Sequence, residues 1–323
     1  MLLRGKILTM KPNSRSNLNL APSLLMQTFV ATPISTLLGV LLLAVGTAQA
    51  GQFALVADGV NKNVAEFYVS GTAWTWVTNF VSTSTPMGAL APLNGPTSVA
   101  QDQQGRIYVS DQSSTAGQNR ILRFNTNGVF IDMVGTNGLN NFNVPGSGID
   151  DMVCGPDGNI YGTLAFGTAN NQILKFNVAT TTWSVLYSNY TTLSTPRGLD
   201  FGPDGNLYVN SRGNARMLVI SPTGVLIRTN VTFSGSYQTT PMGNRWAPAL
   251  TNFICTSGNG NSVICSCTTN GTLALITGQN PSGGQGGVSV LGTLANGTNV
   301  FMATYATASR IDLCSHTSVV CHK

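Results

Sequence analysis

The stretch that most constrains the fold runs from Pro196 to Gly224, PRGLDFGPDGNLYVNSRGNARMLVISPTG. It reads as three short strands cut by two turns. Gly198 to Phe201 is apolar, and Pro203-Asp204-Gly205-Asn206 supplies a tight turn in which proline fixes φ and glycine is free to take φ > 0. Leu207 to Val209 is a β-rich run, Arg212-Gly213-Asn214 turns again, and Met217 to Ile220 is a third strand. No strand in the unit is long enough to bury an apolar face alone, so the unit requires neighbours of its own kind.

Two upstream segments repeat it. Pro96 opens PTSVAQDQQGRIYVSDQ, followed by NRILRFNTNGVF, and Pro145 opens PGSGIDDMVCGPDGNIYG, followed by NQILKFNVATTTW. Gly105, Gly158 and Gly205 each precede a strand containing tyrosine, and the spacing from Pro96 to Pro145 to Pro196 is 49 and then 51 residues, a propeller-blade period. Weaker copies at 51–80, 241–278 and 284–321 bring the expected number of units to six, the first without its own inner strand. The expected fold is an all-β, six-bladed β-propeller over residues 51–323. Ring closure then needs a strand from the last blade or from further N-terminal.

The unit resembles the NHL repeat and its relatives, which include gluconolactonase-type lactonases and streptogramin lyases. The motifs carrying the likeness are the proline and small residue that open each unit, Asp-Gly, Leu-Tyr-Val and Arg-Ile-Leu-Arg-Phe. For a lactonase the resemblance implies a divalent cation held by a Glu, Asn and Asp residues at the channel mouth. The family's Pro-Asn-Gly position is Pro196-Arg197-Gly198 here, so a cation replaces an expected ligand. Asp111 keeps the Asp that ends the Tyr-Val strand, whereas the next blade has Asn210. Asp150, Asp151 and Asp200 are the remaining weak metal candidates; as oxygen ligands they would select Ca²⁺ or Mg²⁺. Their alternative role is accepting backbone amides at the blade entrances. The family's lyases rely on histidines from central strands, but both histidines here, His316 and His322, fall in the last eight residues. The reading therefore assigns no catalytic residue, and its leading expectation carries no cofactor.

Residues 1–50 read as a secretory leader. Leu37–Val45 is a nine-residue apolar run, too short to span a bilayer as a mature helix, and Ala48-Gln49-Ala50 fits a cleavage site before Gly51. The whole chain has 16 basic and 11 acidic residues; the leader holds four of the basic ones (Arg4, Lys6, Lys11, Arg15), leaving 12 against 11, or +1. No basic cluster remains to serve nucleic acid. Charged residues make up only 8% of the chain, so copies repel one another weakly.

The six cysteines all follow the leader, as suits an oxidising compartment. The expected pairs are Cys314–Cys321 and Cys255 with Cys265 or Cys267, leaving Cys154 for the remaining one. Four sequons, at Asn189, Asn230, Asn270 and Asn296, are read as exposed acceptors. Trp74, Trp76, Trp183 and Trp246 are candidate sugar platforms, with inter-blade packing as the alternative. Arg197, Arg212 and Arg245 are read as marking one polar face.

These features converge on a secreted, disulfide-bonded glycoprotein propeller with a non-catalytic binding or structural role at the cell surface or in extracellular matrix. Its partners are other extracellular proteins, its own copies in a polymer, or glycans. A divergent metal-dependent lactonase and a carbohydrate-binding propeller are the alternatives.

Overall fold

The computed structural model describes residues 7–10, 52–70, 73–113, 119–135, 148–165, 171–237, 239–247, 250–257, 263–277, 287–289, 299–304, 310–315 and 321–322. Its strands are β1 (Ile7–Met10), β2 (Gln52–Asp58), β3 (Asn63–Ser70), β4 (Ala73–Val81), β5 (Pro96–Gln101), β6 (Ile107–Asp111), β7 (Arg120–Phe124) and β8 (Phe130–Met133). They continue as β9 (Ile149–Cys154), β10 (Ile160–Leu164), β11 (Gln172–Asn177), β12 (Thr182–Ser188), β13 (Pro196–Phe201), β14 (Leu207–Ser211), β15 (Arg216–Ile220) and β16 (Leu226–Thr232). The last are β17 (Pro241–Ala247), β18 (Asn252–Ser257), β19 (Val263–Cys267), β20 (Leu273–Thr277), β21 (Gly287–Ser289), β22 (Asn299–Thr304), β23 (Arg310–Ser315) and β24 (Cys321–His322).

Consecutive strands pair antiparallel into four-stranded meanders, and the first strands of adjacent sheets lie side by side. This is a β-propeller. Five sheets, β1–β4 through β17–β20, carry described side chains and stack as blades, against the six expected; the sheet β21–β24 is described in backbone pairing only. Among the described residues no helix is long and apolar enough to cross a membrane.

The cores lie between blades rather than within them. Leu55 and Val64 of the first blade pack with Val99, Ile107 and Leu122 of the second. Tyr108 and Ile121 pack with Met152, Ile160 and Trp183. Tyr161 and Ile173 pack with Leu199, Leu207 and Val209, and Tyr208 and Val219 pack with Phe253, Cys255 and Cys265. Strand alternation accounts for this arrangement: in β14, Leu207 and Val209 face the preceding blade while Tyr208 faces the following one. In the second, third and fourth blades the second strands, β6, β10 and β14, are buried on both faces, which is why their apolar runs are continuous.

The repeated Asp-Gly turn has a specific task. Gly158 and Gly205 sit at φ +78° and +74°, conformations open to glycine at little cost. The turn thereby aims Asp157 and Asp204 at the hydroxyls of Tyr161 and Tyr208, which donate to them at 2.9 and 3.0 Å. In the second blade the Tyr108 hydroxyl donates to Asp102 at 3.0 Å. Burial pushes the Tyr108 and Tyr208 phenols up to about 12, so they remain donors at any physiological pH. These two glycine turns are turns and not calcium loops: the Asp157 and Asp204 carboxylates are satisfied by Asn159 and Asn206 as well as by tyrosine.

Several expectations require correction. Pro145 lies outside the described residues; the strand position equivalent to Pro96 and Pro196 is held by Ile149. The inner strands start at Pro96, Ile149, Pro196 and Pro241, so the period is 53, 47 and 45 residues. The inner strand missing from the first blade is β1, drawn from the segment read as a leader, with Ile7 opposite Val56 and Met10 opposite Phe53. Cleavage before Gly51 would remove it; the Ala48–Ala50 site itself lies outside the described residues.

The expected disulfides also change. Cys255, Cys265 and Cys267 are free thiols. Cys255 and Cys265 are direct cross-strand partners, and Cys267 lies opposite Phe253. Cys154 packs between the second and third blades while the other three pack between the fourth and fifth, so a whole blade separates it from any partner among them. Cys314 and Cys321 are cross-strand partners in the backbone register, and their side chains lie outside the described residues.

Two predictions follow from this packing. Burial pushes the Cys255 thiol well up, and it is fully shielded, whereas Cys154 is half-buried. Alkylation of native protein followed by mass mapping should label Cys154 first and Cys255 only on unfolding. For Asp157, burial acts upward but is outweighed by hydrogen bonds from Lys175, Asn159 and Tyr161, leaving its carboxyl at about 2. A folded value below the ordinary 3.8 stabilises the fold above pH ~4 and is lost as pH falls towards 2. Asp157→Asn should therefore flatten the acid limb of the stability–pH curve in that window.

Candidate functional site

The channel wall is built from β5, β9, β13 and β17, and the pairing of each with its second strand aligns them. Because Pro96, Pro196 and Pro241 lie opposite Asp111, Ser211 and Ser257, and Tyr161 and Tyr208 lie opposite Val153 and Asp200, equivalent positions can be read across blades. Thr97, Asp150, Arg197 and Met242 form one layer; Ser98, Asp151, Gly198 and Gly243 the next; Ala100, Val153, Asp200 and Arg245 a deeper one. The chain has 27 charged residues, 16 basic and 11 acidic, yet it places five of them in these three layers.

In the outer layer Arg197 donates from Nη1 to Asp150 Oδ2 at 2.6 Å, linking the third and fourth blades. Both side chains are nearly shielded, at 5% and 7% exposure. The deeper pair spans further. Arg245 donates to both oxygens of Asp151, Nη1 to Oδ2 at 2.8 Å and Nη2 to Oδ1 at 2.7 Å, across 94 residues and past the inner strand of the fourth blade. Arg245 Nη1 also meets the carbonyls of Leu199 and Asn244, each at 2.7 Å. Asp151 further accepts the amides of Met152 and Leu199 at 2.9 and 3.1 Å, and the Ser98 hydroxyl at 3.4 Å.

Gly198 makes this reach possible. A Cβ there would collide with the backbone nitrogen and side chain of Asn244, so the bare glycine lets β17 lie directly against β13. Burial disfavours the Arg245 cation, but the charges of Asp151 and Asp200 and the bidentate hydrogen bonds outweigh it and hold the guanidinium above its usual range. Asp200 accepts the Phe201 amide at 2.8 Å and the Trp246 amide at 2.9 Å.

A divalent cation does not fit this carboxylate set. Asp150 and Asp151 each carry an arginine, two of the ligand-layer positions are filled by guanidinium groups, and Asp200 is committed to backbone amides. Among the described residues no three His, Cys, Asp or Glu side chains are grouped to hold a metal ion. Asp111 is likewise structural, accepting Asn94 and Gly95 amides and pairing with Arg120 at 2.8 Å.

Arg212 sits at the same end of the channel as Arg197. It opens a 3-10 turn after β14, and its amide donates to Thr195 O at 3.2 Å, beside the start of β13. The three arginines singled out in the sequence therefore do not form one face: Arg197 and Arg212 stand at the strand-entry end, and Arg245 lies deeper. The Asp151–Arg245 pair had no signal in the sequence, since no local spacing links residues 94 apart.

The remaining candidates separate cleanly. Trp183 is buried and donates from Nε1 to Val134 O at 2.6 Å, and Trp246 packs edge-on against Phe253, so both serve packing. Trp76 is 58% exposed on β4, and the Trp74 side chain lies outside the described residues. Asn189 and Asn270 are exposed. Asn230 is not an open acceptor: its Nδ2, the atom a glycan would take, donates to Thr268 O of the next blade at 3.1 Å. Asn296 and His316 lie outside the described residues, and His322 is placed on β24.

No protein-family model and no curated protein matches the chain. Solved structures do. A gluconolactonase from Xanthomonas campestris aligns with TM-score 0.56 and 18% identity over 80% of each chain. A candidate gluconolactonase aligns with TM-score 0.55 and 16% identity, over 83% of this chain and 85% of that one. A catalytically inactive histidine-to-alanine variant of virginiamycin B lyase from Staphylococcus aureus, with quinupristin, aligns with TM-score 0.54 and 12% identity, over 82% and 80%. The likeness is one of fold: all are β-propeller neighbours of this chain.

A double-mutant cycle tests the deeper pair. Asp151→Asn and Arg245→Met should each cost about 3–5 kcal/mol by urea unfolding, because each strands a buried partner. The double variant should recover a large part of that loss, a coupling that independent sites would not give.

Proposed function

We propose that the strand-entry end of the channel is a small-molecule site and that the reaction it serves is lactone hydrolysis of the gluconolactonase kind. The observation that carries this reading is the concentration of charge there, in a chain with only 8% charged residues. Scarce ionisable groups gathered from separate inner strands on a channel wall are what a reacting site requires. The shared fold with the gluconolactonases supports it. In this reading a sixth blade, β21–β24, closes the ring, supported by the position of β21 beside both β17 and β1.

The chemistry differs from the metal-dependent version that the family resemblance implies, since the carboxylates are held by arginines. Asp150 is the carboxylate nearest the mouth; it accepts the proton of an attacking water and returns it to the ring oxygen as the acyl C–O bond breaks, while Arg197 and Arg212 supply positive charge for the oxyanion that forms as water adds to the lactone carbonyl. Lyase chemistry of the virginiamycin B type gains no support, because both histidines of this chain lie in its last eight residues. The test is a glucono-lactone hydrolysis assay on the full chain. Turnover should persist in chelator and fall about 10²–10⁴-fold in Asp150→Asn. No turnover by the wild type, or turnover that needs added Ca²⁺ or Mg²⁺, would overturn the assignment.

A second reading is a secreted binding or structural propeller that associates through its rim. Large apolar side chains stand exposed on the outermost strand of each described blade: Trp76 and Val77 on β4, Ile131 on β8, Val185 on β12, Ile227 on β16 and Leu275 on β20. Light scattering of the secreted protein discriminates it. Assembly favours this reading, and a clean monomer removes it.

A further inference from the structure

A second cation at the channel mouth has no counter-ion among the described residues. Arg212 is half-buried, its Nε is shielded from solvent without an acceptor, and among the described residues its guanidinium meets no hydrogen-bond or ion-pair partner. This is unusual. A shielded guanidinium ordinarily finds a carboxylate or a ring of carbonyls, as Arg197, Arg120 and Arg245 do here. Its placement is imposed by the backbone. The Arg212 amide donates to Thr195 O and the Gly213 amide to Ser194 O, which pins the turn against the segment leading into β13. Gly213 has no room for a side chain, since a Cβ would strike Ser194. The turn therefore holds Arg212 beside Arg197, the start of whose strand pairs with Ser211.

The local charge is unbalanced. Asp150 neutralises Arg197, and Arg212 leaves one positive charge over at the mouth; Asp151 and Asp200 lie deeper, with Arg245 between them. Burial, and then the neighbouring charge of Arg197, pull the Arg212 guanidinium below its usual range.

We propose that Arg212, flanked by Arg197, is an anion subsite at the channel mouth, built for the carboxylate of a polyhydroxylated acid. A guanidinium fork matches a carboxylate in shape, and a single uncompensated charge matches a monoanion better than a phosphate dianion. The choice of a hydroxy-acid carboxylate rests on the lactone reading, because adding water across the acyl C–O bond of a lactone yields one hydroxyl and one carboxylate and releases one proton to solvent. Arg212 is then the group that receives the charge the reaction creates, and the product is held more tightly than the neutral substrate.

The experiment is titration calorimetry on the full chain at constant ionic strength, without turnover. The probes are sodium gluconate, D-glucose and sodium phosphate, against wild type, Arg212→Gln and Arg212→Lys. Gluconate should bind the wild type, glucose should not, and Arg212→Gln should weaken gluconate by tenfold or more. Arg212→Lys, keeping charge but not the fork, should fall between. Thermal unfolding of Arg212→Gln without ligand should match or exceed wild type, since it removes a shielded cation with no partner; a lower midpoint would mark Arg212 as structural and overturn the subsite. Equal gluconate affinity in Arg212→Gln, equal binding of glucose, or no gluconate binding overturns it too. Tighter binding of phosphate than of gluconate would overturn the carboxylate assignment. Lactone turnover without gluconate binding leaves the lactone reading standing alone, and gluconate binding without turnover leaves the anion subsite standing alone.

Discussion

The interaction on which the channel depends is the bidentate pair between Asp151 and Arg245. A charge pair shielded from water is costly unless every donor and acceptor is met, and this one is met from four inner strands: Ser98 on β5, the Met152 amide on β9, the Leu199 amide and carbonyl on β13, and Arg245 itself on β17. It ties blades two to five at the axis, where small rotations of one blade against another would otherwise be cheapest. It also decides what the axis can hold. With guanidinium groups on Asp150 and Asp151, those carboxylates serve the protein's own cations instead of an external one.

Away from the axis, stability comes from the faces between blades. Each four-stranded meander is too small to have an interior, so tyrosines 108, 161 and 208 cross from one blade to the next with their hydroxyls tethered to the turn aspartates. That tether turns an apolar contact into an oriented one and fixes the angle at which adjacent blades meet. The outermost strands, facing no neighbour, keep only scattered apolar residues.

Much of this fold was legible in the repeat. The glycine turn followed two residues later by a strand carrying tyrosine is a local pattern with a local cause, and it marked the second strand of three blades. The register of the inner strand was less legible, because Ile149 occupies a place that Pro96 and Pro196 led one to seek at Pro145. The origin of β1 was also hidden: a basic, apolar N-terminal stretch carries a leader's signature whatever its backbone does, and four residues of strand add almost nothing to that pattern. The site was legible as a set of residue types and illegible as pairs. Asp150, Asp151, Asp200, Arg197, Arg212 and Arg245 all stood out in a chain so poor in charge, but which carboxylate met which arginine depended on the absence of a side chain at Gly198. A composition has no way to express that.

The most direct test of this account is a crystal structure of the protein grown in calcium chloride, with anomalous scattering used to locate the ion. The account predicts Arg245 seated on both oxygens of Asp151, Arg197 on Asp150, and no calcium among Asp150, Asp151 and Asp200. Calcium bound to those carboxylates with the two arginines swung away would contradict it.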